Sequence, residues 1–188
     1  MTRRLLAAGL LAAGVAAAGP SGPAVRAERA FALTSATFRD GGPMPERAAD
    51  AVRGSCAGQN LSPQLSWTGA PARTRSFALI IFDPQGRNGL GDFRFVGYGI
   101  PTTVTAFAEG EVSARSDKFV GGANTEGRMA YSGPCPAKGP PHRYAFVLIA
   151  TDLERDALPP GLSVEALLPK LEGHSEGSTG MVGLFGEP

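Results

Sequence analysis

Between Tyr131 and Phe146 the chain reads YSGPCPAKGPPHRYAF, in which four prolines and two glycines surround Cys135. The run then carries His142, Arg143 and Tyr144 into the apolar segment AFVLIA. Proline fixes φ and removes a backbone donor, so the first half is a stiffened loop, and the second half reads as a buried strand. Strand alternation puts His142 and Tyr144 on one face and Arg143 on the other. A rigid loop that presents an imidazole and a phenol at a sheet edge can build a binding site; the plainer alternative is a proline-rich turn in which His142 makes one structural hydrogen bond.

Two more polar residues stand at the ends of apolar runs. Asp83 closes FALIIF (77–82), and Arg94 lies at the start of FRFVGYGI (93–100). The short connection between these runs favours neighbouring antiparallel strands, which puts Asp83 and Arg94 at one end of a sheet. If the strand from His142 also runs antiparallel to 77–82, the imidazole reaches that end too. A carboxylate, a guanidinium and an imidazole together suit a small anion, with Arg94 as a fork-shaped donor, His142 as a second donor, Asp83 orienting them and Tyr144 lining the site. The competing reading is an Asp83–Arg94 salt bridge that closes the pocket and leaves a structural relic.

The elements that must position these groups are mostly strands. Phe31–Phe38, Leu65–Trp67, residues 77–82 and 93–100, Val104–Phe107, residues 145–150 and Met181–Phe185 have strand character, with Gly/Pro turns between them. Residues 44–64 read as loop, with one helical turn within 45–53, and residues 108–130 as a long ordered loop. One helix is predicted at about 164–172, with Ser163 as its cap, Glu165 at its positive end and Gly173 as its stop. The fold class is mostly β, a sandwich or a large sheet with smaller additions.

Arg3 and Arg4 followed by an apolar run from Leu5 to about Gly19 read as a secretory signal peptide over residues 1–27, with Val25-Arg26-Ala27 as the cleavage site. The paired arginines are a weak twin-arginine feature. That leader holds Arg3, Arg4 and Arg26 and no acid, so its removal turns the formal charge from +1 to −2. Residues 28–188 then form one domain, periplasmic or secreted, with no further run long enough to cross a bilayer. There is no basic patch of the kind nucleic acid requires.

The chain has two cysteines, Cys56 and Cys135. In an oxidising compartment they are most simply a disulfide. The alternative is a reactive Cys135 thiol beside His142, the basis of a Cys/His-dependent hydrolase. No full set of nucleophile, base and oxyanion donors can be assembled, so no catalytic residue is assigned. With two histidines, His142 and His174, the supply of metal ligands is poor, and neither metal nor cofactor is expected.

The blocks GSCAGQNLSPQLSWTGAP (54–71), FALIIFDP (77–84), FRFVGYGIP (93–101), YSGPCPAKGPPHRY (131–144) and GHSEGSTGMVGLFG (173–186) resemble, in order and spacing, the phosphatidylethanolamine-binding proteins. They are most similar to the bacterial, Raf kinase inhibitor-like or YbhB/YbcL-like branch. The resemblance implies a β-sandwich around a large central sheet with a few peripheral helices. It also implies a pocket for phosphate-like or acetate-like anions, including phospholipid head groups. Its site residues fall on Asp83, Pro134, His142 and Tyr144 here. Where the family carries DPDAP this chain has DPQGR, with Gln85 and Arg87 as the departures. Where the family has a histidine before an aromatic, this chain has Arg94 before Phe95. Gly133-Pro134-Cys135-Pro136 keeps the family's proline block, with Ala137 replacing its last proline. The pocket therefore gains a permanent cation and loses an acid and a titrating histidine.

Overall fold

The computed structural model describes residues 29–51 and 56–186. The signal-peptide stretch lies outside the described residues. In chain order the strands are β1 (Ala32–Thr34), β2 (Gly42–Pro43), β3 (Leu65–Thr68), β4 (Ser76–Asp83), β5 (Asp92–Pro101), β6 (Ala106–Phe107), β7 (Val120–Gly121), β8 (His142–Thr151) and β9 (Ser175–Phe185). A four-residue turn, α1 (Gly86–Gly89), with Arg87 and Asn88 in the left-handed region, joins β4 to β5, and the helix α2 (Val164–Leu171) precedes β9. Short 3-10 turns occupy Glu46–Ala48 and Glu111–Ser113.

The strands form two sheets, β1-β3-β6 and the larger β2-β9-β8-β4-β5-β7. Strand β4 pairs antiparallel with both β5 and β8, as the connection lengths predict. Alternation sorts its side chains. Phe77, Leu79 and Ile81 face the small sheet and join Trp67, Phe107, Phe146 and Leu148 in the main core. Ala78 and Ile80 face the other way, onto Val164, Leu167 and Leu171 of α2. Each large apolar side chain so buried contributes about 1.5–3 kcal/mol, so these layers hold the sheet in place.

Several elements differ from the sequence reading, each for a stated reason. The first strand is limited to Ala32–Thr34, because beyond it the Ser35 hydroxyl and Ala36 N–H turn to Gln64. The last strand begins at Ser175 rather than Met181; its Ser/Gly/Thr half is strand because it pairs along almost all of β8, not through its own propensity. The 108–130 loop contains a 3-10 turn and the two-residue β7. Helix α2 lies where the pattern puts it, but Ser163 makes no side-chain cap hydrogen bond. Its carbonyl instead accepts from the N–H groups of Ala166 and Leu167.

One irregularity positions the site. Ile81 is opposite Phe95 but Phe82 is opposite Phe93, so Arg94 is the extra residue of a β-bulge. Phe95 consequently joins the main core while Phe93, two residues earlier, packs at a tilt against Phe82 on the far face, ring centroids 5.7 Å apart.

Candidate functional site

Asp83, the last residue of β4, points to the core face and is 3% exposed. Its Oδ1 accepts the N–H groups of Gln85 at 2.9 Å and Gly86 at 3.0 Å, which folds the chain back into α1. Its Oδ2 is 2.7 Å from Nδ1 of His142, at the start of β8. The carboxylate thus faces Nδ1 and leaves Nε2 as the outward nitrogen of the ring. The Gln85 side chain accepts the Arg143 N–H at 2.8 Å, tying α1 to the same strand. Gly86 permits a close approach: a Cβ there would lie 2.5 Å from that of Asp92 and 3.3 Å from Asp83 Oδ2.

Arg94 departs from expectation. The structure does not pair it with Asp83. Its Nη1 is 3.0 Å from Glu126 Oε1 and 3.4 Å from Asp92 Oδ2. The Asp83–Arg94 closing bridge is therefore corrected to two pairs, Asp83 with His142 and Arg94 with Asp92 and Glu126. The bulge is the physical cause, because it removes Arg94 from the register that would set it across from β4. The guanidinium is consequently held by carboxylates rather than presented as a free fork.

Tyr144 lies two residues into β8 on the same face as His142, 1% exposed, and its hydroxyl has no hydrogen-bond partner. Desolvation, then the nearby Asp83 carboxylate, push its phenol well above the ordinary tyrosine range. The Asp83 carboxylate acts on that hydroxyl through its charge and also as a weak side-chain hydrogen-bond acceptor, outside the geometry of a fully formed bond. Two further orphans adjoin it, Arg94 Nε and Asp92 Oδ1. His142 and Glu126, with side chains 23% and 22% exposed, form the solvent side of this otherwise buried cluster.

Pro134 lies two residues beyond Ser132, whose N–H bonds the Arg94 carbonyl. Its carbonyl accepts the Asp50 N–H at 3.0 Å, in a loop clamp that also ties Gly133 N–H to Asn60 Oδ1 at 2.7 Å. The clamp is covalently closed by the Cys56–Cys135 disulfide. A hydrolase reading needs Cys135 as a thiol, and here its sulfur is bonded to Cys56. Among the described residues no group of three or more His, Cys, Asp and Glu side chains could hold a metal ion, and no helix is long and apolar enough to cross a membrane.

Sequence reasoning missed Asp92, Glu126 and Asn124. Asp92 stands two residues before Arg94 on a strand pattern, a spacing that could have revealed it. Glu126 is 32 residues away and carried no such signal. Asn124 opens an Asn-Thr-Glu-Gly turn signal. Its Oδ1 accepts the N–H groups of Glu126 and Arg128, while its Nδ2 donates to the Arg94 carbonyl at 3.3 Å.

Residues 34–186 match the family model described as phosphatidylethanolamine-binding protein. The chain belongs to this family. A UPF0098 protein of Methanothermobacter thermautotrophicus is 37% identical over 155 residues, covering 81% of this chain and 97% of that protein. The UPF0098 protein YbhB of Escherichia coli is 31% identical over 156 residues, with 81% and 98% covered. A Mycobacterium tuberculosis relative named as a lipoprotein, LppC, is 32% identical over 164 residues, with 87% and 75% covered. Among solved structures, Escherichia coli YbcL, titled a new member of the mammalian family, matches with a TM-score of 0.76 and 27% identity, covering 84% of this chain and 99% of that one. The two-sheet, few-helix architecture of the phosphatidylethanolamine-binding proteins is thus the architecture here.

Proposed function

We propose that this member of the family is an exported binding protein, periplasmic or secreted, whose cluster of Asp83, Arg94, His142 and Tyr144 takes a small oxyanion: phosphate, a carboxylate or a phospholipid head group. One observation carries the reading. Two buried donors without a fully formed hydrogen bond, Arg94 Nε–H and Tyr144 Oη–H, belong to the same cluster as an imidazole that Asp83 orients at 2.7 Å. Unmatched buried polar groups are rare in folded proteins, and an oxyanion supplies the acceptors both donors lack. His142 adds a third donor when its outward nitrogen is protonated. The disulfide, and the lipoprotein name of one relative, support export. A binding role is favoured over a Cys/His-dependent hydrolase because Cys135 is in the disulfide.

Arg94 is already shared between two carboxylates, so binding is weak, on the order of 0.1–1 mM for a lone head group. The test is an NMR titration of phosphate and phosphoethanolamine into the parent, His142→Ala and Tyr144→Phe. Shifts centred on Asp83, His142 and Tyr144 that weaken in both variants support the assignment. No shift in the parent at any accessible concentration ends it.

A further inference from the structure

The chain has three asparagines, Asn60, Asn88 and Asn124, and the fold treats them differently. Asn60 Nδ2 donates to the Tyr131 carbonyl at 3.1 Å, and its Oδ1 accepts the Gly133 N–H at 2.7 Å. Asn124 Nδ2 donates to the Arg94 carbonyl at 3.3 Å and to Ser132 Oγ at 3.0 Å, and its Oδ1 accepts the N–H groups of Glu126 and Arg128. Both of these amides are held through nitrogen and oxygen alike. Asn88 lies on the exposed turn between β4 and β5, and among the described residues no hydrogen bond holds its side chain. It is also the asparagine that precedes a glycine, whereas Asn60 precedes Leu61 and Asn124 precedes the β-branched Thr125.

An asparagine side chain is an electrophile within reach of the backbone nitrogen that follows it. Attack by that nitrogen needs a free amide, a backbone able to turn and an uncrowded nucleophile, and this turn has all three. Arg87 (φ 51°, ψ 42°) and Asn88 (φ 60°, ψ 37°) are both left-handed, a region that costs non-glycine residues free energy, so rotating out of it meets little resistance. The Gly89 N–H reaches the Gln85 carbonyl at 3.3 Å, a long bond that holds the nitrogen loosely. A Cβ placed on Gly89 would meet nothing within 4 Å, so no neighbour blocks the approach.

We propose that Asn88 is a site of spontaneous covalent modification. The Gly89 nitrogen attacks Asn88 Cγ, the new N–Cγ bond closes a succinimide, and the side-chain nitrogen leaves as ammonia with the proton that Gly89 gives up. Water then opens the ring, its hydroxyl going to one of the two imide carbonyl carbons and its proton to the nitrogen. Opening on one side gives aspartate, and on the other isoaspartate, whose main chain runs through Cβ and is longer by one methylene. Either product sets a carboxylate next to Arg87. The turn is tied to the cluster, because the N–H groups of Gln85 and Gly86 bond Asp83 Oδ1 and the Gln85 side chain bonds the Arg143 N–H. A lengthened main chain at residue 88 therefore disturbs the hold on Asp83. The modification itself is independent of the oxyanion-binding reading above.

The experiment ages the folded parent at mildly alkaline pH, digests samples at acidic pH, where cyclisation is slow, and follows each asparagine peptide by mass spectrometry. An isoaspartate-specific carboxyl methyltransferase reports the isoaspartate fraction. The peptide holding Asn88 is expected to take on the mass of the acid at least about tenfold faster than those holding Asn60 and Asn124. Conversion at Asn88 in the urea-unfolded chain but not in the folded one would show that the turn protects the amide, and overturns the proposal. So does retention of the amide in both, or conversion of all three asparagines at like rates. Asn88→Gly suits the left-handed position and removes the electrophile, so the fast methyl-accepting fraction should vanish; its persistence overturns the assignment to residue 88. If that variant does not fold, the peptide map of the parent decides the location. In the aged protein the amide signals of Gln85 and Gly86 should split into old and new sets, and a single unshifted set alongside measured isoaspartate overturns the link to Asp83.

Discussion

The three tyrosines of the chain form a controlled series in hydrogen-bond satisfaction. Tyr98, Tyr131 and Tyr144 are each 1% exposed, with the Tyr98 hydroxyl lying nearer the surface than the other two. Their hydroxyls differ in what they meet. Tyr98 donates to the Pro159 carbonyl at 2.6 Å and accepts the Leu162 N–H at 3.1 Å. Tyr131 donates to the Ala48 carbonyl at 3.1 Å, and Tyr144 has no partner. A tyrosine-to-phenylalanine change deletes the hydroxyl with little change of shape, so the loss should follow the number of bonds. At about 1 kcal/mol per bond, with a further penalty for partners left orphaned, Tyr98→Phe should cost about 2–3 kcal/mol and Tyr131→Phe about 1–1.5. Tyr144→Phe should be neutral or stabilising by up to about 1 kcal/mol, because it removes an unmet polar group. Urea unfolding with unchanged m-values reads these differences directly, and for a chain of this size each kcal/mol moves Tm by about 2–4 °C. A loss above about 1 kcal/mol in Tyr144→Phe, in anion-free buffer, would show that the hydroxyl is satisfied and would remove the orphan-donor basis of the site.

Three further outcomes are expected. All three phenols are held above the ordinary tyrosine value, first by desolvation; a folded-state value raised in this way gives stability that is complete below about pH 10 and lost as pH rises, by up to about 1.4 kcal/mol per pH unit for each phenol. Tyrosinate absorbance should therefore rise together with loss of the fold, and a phenol ionising near pH 10 in folded protein would contradict the burial. The Cys56–Cys135 disulfide spans 79 residues of sequence and should contribute about 4–5 kcal/mol, read as the drop in denaturant midpoint after reduction; a non-reduced digest should contain the crosslinked peptide, and two free thiols in protein taken from an oxidising compartment would refute the pairing. Gly86→Ala places a Cβ 2.5 Å from that of Asp92, so it should cost about 1–3 kcal/mol and shift the backbone signals of both Asp83 and Asp92; a variant as stable as the parent would refute the close approach.

Much of the architecture was legible because it rests on local pattern. FALIIF and the run after His142 carry enough apolar residues to be strands in any context, and the short connection to residues 93–100 left an antiparallel pair as the simplest topology. The Ser163–Gly173 frame marked α2. The first half of β9 was not legible, because SEGSTG has no strand propensity and becomes a strand only by bonding to β8.

The site divides in the same way. The residue pattern pointed to Asp83, Arg94, His142 and Tyr144 at one end of a sheet and to a pairing of the two cysteines. Strand order and a period of two decide such things locally. Which charge meets which depends on packing across the whole fold. A bulge shifts Arg94 by one position, and a residue 32 positions further along the chain, Glu126, comes to hold it together with Asp92. Asp83 is left to His142. Ion pairing depends on separations of a few ångströms between groups brought together by the whole fold, and no periodicity within a strand encodes that distance.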